Sequence, residues 1–136
     1  MTEQDRLLLI QDLCARLPYK VVIRCTDSDT DYKCFLTKDI LDELIKNYMY
    51  YDYKPYLRSL SSITKEEEIE FEHLFNQYYI SKTRNTVYCT SRGDLNLSFI
   101  KWLNAHHFDY FGLIKIGLAL EATGDVLALY KNKLEN

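Results

Sequence analysis

Proline and glycine are scarce, two and four in 136 residues, which excludes a collagenous tract, a proline-rich spacer or a long flexible linker. No apolar run approaches the ~20 residues that a membrane-spanning helix needs. Basic charge is not in excess: the formal net charge is -3 and the pI about 5.6. A chain of that sign lacks the basic field that displaces counterions from nucleic acid. Motifs with a fixed chemistry are missing too. No H-E-x-x-H or C-x-x-C pair is present to seed a metal site, no G-x-S-x-G to present a nucleophile, and no glycine-rich loop to cradle a phosphate. No catalytic set, metal or cofactor is therefore predicted. Glu3 and Asp5 precede Leu7-Leu8-Leu9-Ile10, the wrong sign for the basic start of a signal peptide. The expectation is a cytoplasmic protein whose cysteines, Cys14, Cys25, Cys34 and Cys89, stay reduced.

What is present points to a folded domain. The 47% hydrophobic and 27% charged content are those of a globular chain. At this length roughly 65–70% of the unfolded surface can be buried, so residues 1–136 are read as one domain. Twelve tyrosines stand out, since each carries a large ring with a polar tip and suits a core rim or a binding surface.

Periodicity divides the chain into elements. Thr2 can cap a first helix whose stripe is Leu9 or Ile10, Leu13, Cys14 and Leu17, with Pro18 as its stop. Tyr19 to Cys25 is β-branched and reads as a strand, Thr26 to Asp31 as a polar tip, and Tyr32 to Leu36 as the returning strand. Thr37 caps a second helix that buries Ile40, Leu41, Leu44, Ile45, Tyr48 and Met49, fades through Tyr50-Tyr51-Asp52-Tyr53 and ends before Pro55. Thr64 to Glu67 is a capping box opening a third helix, with Phe71, Leu74, Phe75 and Tyr78 as its apolar stripe. Thr86 to Thr90 favours a strand and Arg92-Gly93-Asp94 a turn. A fourth helix then runs from Leu95 or Leu97 to His106, with Phe99, Ile100, Leu103 and His107 on one side. Asp109 can cap a short fifth helix closing at Gly117, followed by a strand over 118–122. Thr123-Gly124-Asp125 is a turn, and Val126 to Tyr130 is a returning strand or a final helical turn. The fold class is α+β: four or five short helices packed on a small antiparallel sheet.

Three blocks of this sequence carry a resemblance. They are Asp12-Leu13-Cys14-Ala15-Arg16-Leu17-Pro18-Tyr19, Lys54-Pro55-Tyr56-Leu57-Arg58-Ser59-Leu60-Ser61-Ser62, and Trp102 through Ala122. In this order the chain resembles a group of small uncharacterised proteins of gut Bacteroidetes genomes, their prophages and their phages. The resemblance implies a context, an accessory gene of a mobile element, and no activity. Residues 76–94 and the tail after Thr123 look less like the group.

Several constellations invite chemistry. Asp27-Ser28-Asp29-Thr30-Asp31 begins like a calcium loop, but Tyr32 and Lys38 stand where an EF-hand needs glycine and a bidentate glutamate. It reads as a self-solvated hairpin tip. Cys89, with nothing basic beside it in sequence, reads as inert and buried. His106, His107 and Asp109 are the only candidates for acid–base work. Adjacent histidines lie about 100° apart on a helix, so they cannot meet one proton together. The cluster Tyr48, Tyr50, Tyr51, Tyr53, Lys54, Tyr56 and Arg58, flanked by Lys46, interleaves tyrosines with cations. With His106 these form the candidate binding set. Three readings stay open for the tyrosines: a roof over the core, a surface that anchors a protein partner, or a platform on which single-stranded nucleic acid stacks its bases. The expected function is a non-enzymatic accessory protein of a phage or mobile element, acting through protein–protein interaction. The alternatives are a small-molecule enzyme using His106 or His107, and a winged-helix-like nucleic-acid binder with residues 118–130 as the wing. The acidic balance speaks against nucleic acid as a partner.

Overall fold

A computed structural model of the chain describes residues 1–89 and 98–132. The expected turn at Arg92-Gly93-Asp94 and the side chain of Cys89 lie outside the described residues. The elements are α1 (Glu3–Arg16), β1 (Val22–Thr26), β2 (Asp31–Phe35), α2 (Lys38–Lys46), β3 (Asp52–Leu57), α3 (Lys65–Leu74), β4 (Tyr78–Ser81), β5 (Thr86–Cys89), α4 (Ser98–Ala105), β6 (Leu120–Glu121) and α5 (Gly124–Asn132). The architecture is α+β. A sheet of order β2-β1-β3-β6 is joined by a separate β4-β5 hairpin. Its first three strands are antiparallel, while β6 pairs with β3 in parallel at Tyr56 and Leu57, so the sheet is mixed.

Local chemistry sets the helix ends. Thr2, Thr37 and Thr64 cap α1, α2 and α3 by accepting backbone amides at Asp5, Ile40 and Glu67. At α3 the box is closed, because the Thr64 amide donates to Glu67 Oε1 at 2.9 Å. Asn47 ends α2 in the left-handed region, φ 56°. Its amide and that of Tyr48 satisfy the carbonyls of Leu44 and Glu43. That stop comes earlier than the tyrosine-rich fade expected from the sequence, and it frees residues 52–57 to form β3.

In β3, Tyr53, Pro55 and Leu57 are buried and alternate with exposed or half-buried Asp52, Lys54 and Tyr56, the period of two that a strand imposes. Pro55 is tolerated inside the sheet because β3 has β1 alone as a neighbour there; β6 joins one residue later. The segment after Asp109 is the other departure. Instead of a fifth helix it forms hydrogen-bonded turns over 113–117, with Gly117 at φ +82°. Residues 118–130 make the two-residue β6 and then α5, not the hairpin of a wing.

The larger core gathers Leu9 and Leu13 of α1, Ile40, Leu41 and Leu44 of α2, Ile23 and Cys25 of β1, and Val126 and Tyr130 of α5. The second joins Phe71, Tyr78, Ile80, Trp102, Leu103 and Phe108. Leu74, expected on the α3 stripe, is exposed. Tyr130 ties α5 to the sheet: its hydroxyl donates to the Tyr56 carbonyl at 2.6 Å and accepts from the Val22 amide at 2.8 Å. No helix among the described residues is long and apolar enough to cross a membrane.

Candidate tyrosine surface and the buried arginine network

The loop between α2 and β3 carries the tyrosines, and Glu43 organises it. Its carboxylate accepts the Tyr50 amide at 3.0 Å and the Tyr53 hydroxyl at 2.9 and 2.8 Å. Burial pushes the Tyr53 phenol up, and the bond to Glu43 pushes it further, so Tyr53 is a neutral donor. Tyr53 is 4% exposed and belongs to the core. Tyr51, half-buried, bridges it to β2 through edge-to-face contacts with Tyr53 at 6.1 Å and Tyr32 at 5.5 Å. Tyr48 and Tyr50 are each 70% exposed and meet edge to face at 5.7 Å. The run of tyrosines is thus divided. Tyr53 roofs the core, while Tyr48 and Tyr50 stand outside it with Tyr51 between.

The remaining candidates are placed elsewhere. Lys54 and Tyr56 point to the sheet face opposite Tyr53, where Lys33 Nζ lies 5.8 Å from the centre of the Tyr56 ring. A cavity of about 600 Å³ opens on that face, between the sheet and α5, lined by Val22, Lys33, Phe35, Tyr56, Val126 and Leu129. Arg58 and His106, expected at the surface, are 0% and 8% exposed. The reason is a buried ionic network. Arg58 forms a bidentate pair with Glu67, Nη1 to Oε2 at 2.8 Å and Nη2 to Oε1 at 2.7 Å. Its guanidinium lies 4.2 Å from the Phe108 ring centre and also donates to the Ser62 carbonyl. His106 Nδ1–H donates to Glu67 Oε2 at 3.0 Å, and its ring stacks on Trp102 at 3.8 Å. Trp102 Nε1–H donates to Glu70 Oε1 at 2.9 Å. Burial pushes the Glu67 carboxyl up, but the hydrogen bonds from Arg58, His106 and the Thr64 amide outweigh it and hold the group well below the usual carboxylate range.

A second buried arginine grips the same segment from the other side. Arg16 Nε donates to Asp12 Oδ2 at 2.8 Å and Nη2 to the Phe108 carbonyl at 2.7 Å, and both side chains are fully buried. Between the two arginines, residues 106–109 leave α4 through a left-handed His107, φ +65°. The amides of His107 and Phe108 bond the carbonyls of Asn104 and Leu103, the helix-ending pattern that glycine usually serves. The His107 ring stacks on Tyr130 at 3.8 Å. Asp109 accepts the Leu113 and Ile114 amides at 2.9 and 3.0 Å. It caps as expected, but it caps turns.

Neither histidine lines the cavity between the sheet and α5. At the hairpin tip Asp27 accepts the Asp29 and Thr30 amides, and Asp31 pairs with Arg24. Among the described residues no cluster of three or more His, Cys, Asp or Glu side chains could hold a metal ion. Sequence reasoning missed Arg16, Asp12 and Glu43. Asp12 and Arg16 stand four apart on the first helix, a spacing that suits an ion pair but says nothing of burial.

No protein-family model, curated protein or solved structure matches this chain.

Proposed function

We propose that this chain is a binding domain without catalytic chemistry, an accessory protein of a phage or mobile element that acts by holding a protein partner. The observation that carries the reading is the pair Tyr48 and Tyr50, each 70% exposed on a loop fixed at both ends. Asn47 locks the start of that loop and Glu43 holds the Tyr50 amide. Aromatic rings left in water add little to folding. Held in a defined position, they supply contact area at small entropic cost, and tyrosine is enriched where binding energy concentrates. The burial of His106 in a stacked, hydrogen-bonded arrangement and of His107 against the Tyr130 ring supports the same reading over an enzyme. The mobile-element context rests on the resemblance of the three sequence blocks.

The test is affinity capture from the native host followed by mass spectrometry, run in parallel on the wild-type chain and on a Tyr48→Ser/Tyr50→Ser variant. The reading expects a protein recovered with the wild type, lost with the variant, and an unchanged unfolding midpoint. Equal recovery by both would place the binding surface elsewhere.

A further inference from the structure

We propose that Cys25 and Cys34 form a redox-active dithiol, a site that a small-molecule disulfide such as oxidised glutathione converts into a bond between β1 and β2. The two sulfurs lie 3.3 Å apart. In the β1–β2 ladder Cys25 stands opposite Tyr32 and Cys34 opposite Ile23. The cysteines are therefore diagonal neighbours on one face of the sheet. Diagonal Cα atoms usually stand ~7–8 Å apart, and a disulfide accepts at most about 6.8 Å, so bonding requires a small approach of the strands. β2 can make it, because it is an edge strand held by β1 alone.

Access differs between the two thiols. Cys25 is buried, whereas Cys34 is partly exposed. Burial pushes the Cys25 thiol up to about 12, with the Cys34 contact adding to the shift, which keeps Cys25 protonated at neutral pH. Cys34 is thus the thiol that reacts first. Its thiolate attacks one sulfur of the oxidant RS–SR; a Cys34–SR bond forms, the oxidant's S–S bond breaks, and RS⁻ leaves to take a proton from solvent. Cys25 then gives up its proton and attacks Cys34 Sγ. The Cys25–Cys34 bond forms, the Cys34–SR bond breaks, and a second RS⁻ leaves and is protonated. The pair has lost two electrons, and one RS–SR has become two RSH. Because Cys34 is the accessible thiol of the pair, the mixed disulfide on Cys34 precedes the cross-link. This inference stands apart from the tyrosine surface and needs no partner.

The experiment uses the wild-type protein in buffers of graded oxidised-to-reduced glutathione, with free thiols trapped by an alkylating reagent and peptides mapped by mass spectrometry. The expected product is a peptide cross-linked between Cys25 and Cys34, reversed by reduced glutathione and preceded by a glutathione adduct on Cys34. A Cys25→Ser variant should stop at that adduct. A Cys34→Ser variant should leave Cys25 unmodified, while exposed Cys14 reacts in every form and reports that the oxidant is active. Modification of Cys14 with no Cys25–Cys34 cross-link in the wild type would overturn the proposal, and so would a first adduct on Cys25.

Discussion

Glu67→Gln is the perturbation that most sharply probes the inside of this fold. Glutamine is nearly isosteric and keeps an acceptor for the Thr64 amide, so the capping box survives in outline. What it removes is the negative charge that faces Arg58, whose side chain is 0% exposed. Breaking a buried ion pair from one side costs about 3–5 kcal/mol, because the remaining charge is left without its counterpart. Loss of a cap alone costs about 1 kcal/mol, which is the expected effect of Thr64→Ala. With a urea dependence of about 2 kcal/mol per molar, Glu67→Gln should lower the midpoint by about 1.5–2.5 M. Trp102 is the only tryptophan and stacks on His106 within the network, so its emission is the natural probe. A Glu67→Leu/Arg58→Met variant, which removes both charges, should be less destabilised than Glu67→Gln. The pH profile supplies a sign. The folded carboxyl is held below its unfolded value, so its stabilisation is complete above the ordinary carboxylate pKa, about 4.3, and drains away as the pH falls below it. The gap between wild type and Glu67→Gln should therefore narrow in acid. A Glu67→Gln midpoint no lower than that of Thr64→Ala, or a gap that widens in acid, would mean that the Arg58–Glu67 pair does not hold this core together.

Other outcomes follow from burial. Trp102, 8% exposed against Phe71 and Phe108, should emit to the blue of free indole, and Trp102→Ala should cost about 3–5 kcal/mol in chemical denaturation. Tyr53→Ser should lower stability by more than about 2 kcal/mol through lost packing and the stranding of Glu43, whereas Tyr50→Ser should stay within about 0.5 kcal/mol. Tyr130→Phe should cost about 1–3 kcal/mol, since it leaves the Val22 amide and the Tyr56 carbonyl without their shared hydroxyl.

The parts of this fold that were legible in the sequence are those fixed by short-range chemistry. Thr64 and Glu67 read as a capping box because both halves of the reciprocal bond lie within one turn. The β1–β2 hairpin was visible in its β-branched run and polar tip. β3 was hidden although it alternates correctly, because Tyr50 to Tyr53 continue the spacing of α2 and Pro55 argues against a strand. Only Asn47, by taking the left-handed cap, decides the matter, and asparagine there is one option among several. The buried arginines were illegible for a different reason. Arginine is a surface residue by default, and what draws Arg58 inward, Glu67 of α3 and the His106 carbonyl just past α4, comes from distant parts of the chain. At the candidate surface the alternation of core and solvent splits one run of tyrosines between two roles, and composition alone cannot assign them.

Calorimetric titration of the captured partner into the wild type and into Tyr48→Ser/Tyr50→Ser decides whether Tyr48 and Tyr50 hold a protein partner. Binding hot spots are worth about 2 kcal/mol or more, and 1.4 kcal/mol is a factor of ten in affinity. The expected result is a Kd weakened by roughly thirty-fold or more with the unfolding midpoint unmoved. An unchanged Kd would contradict it.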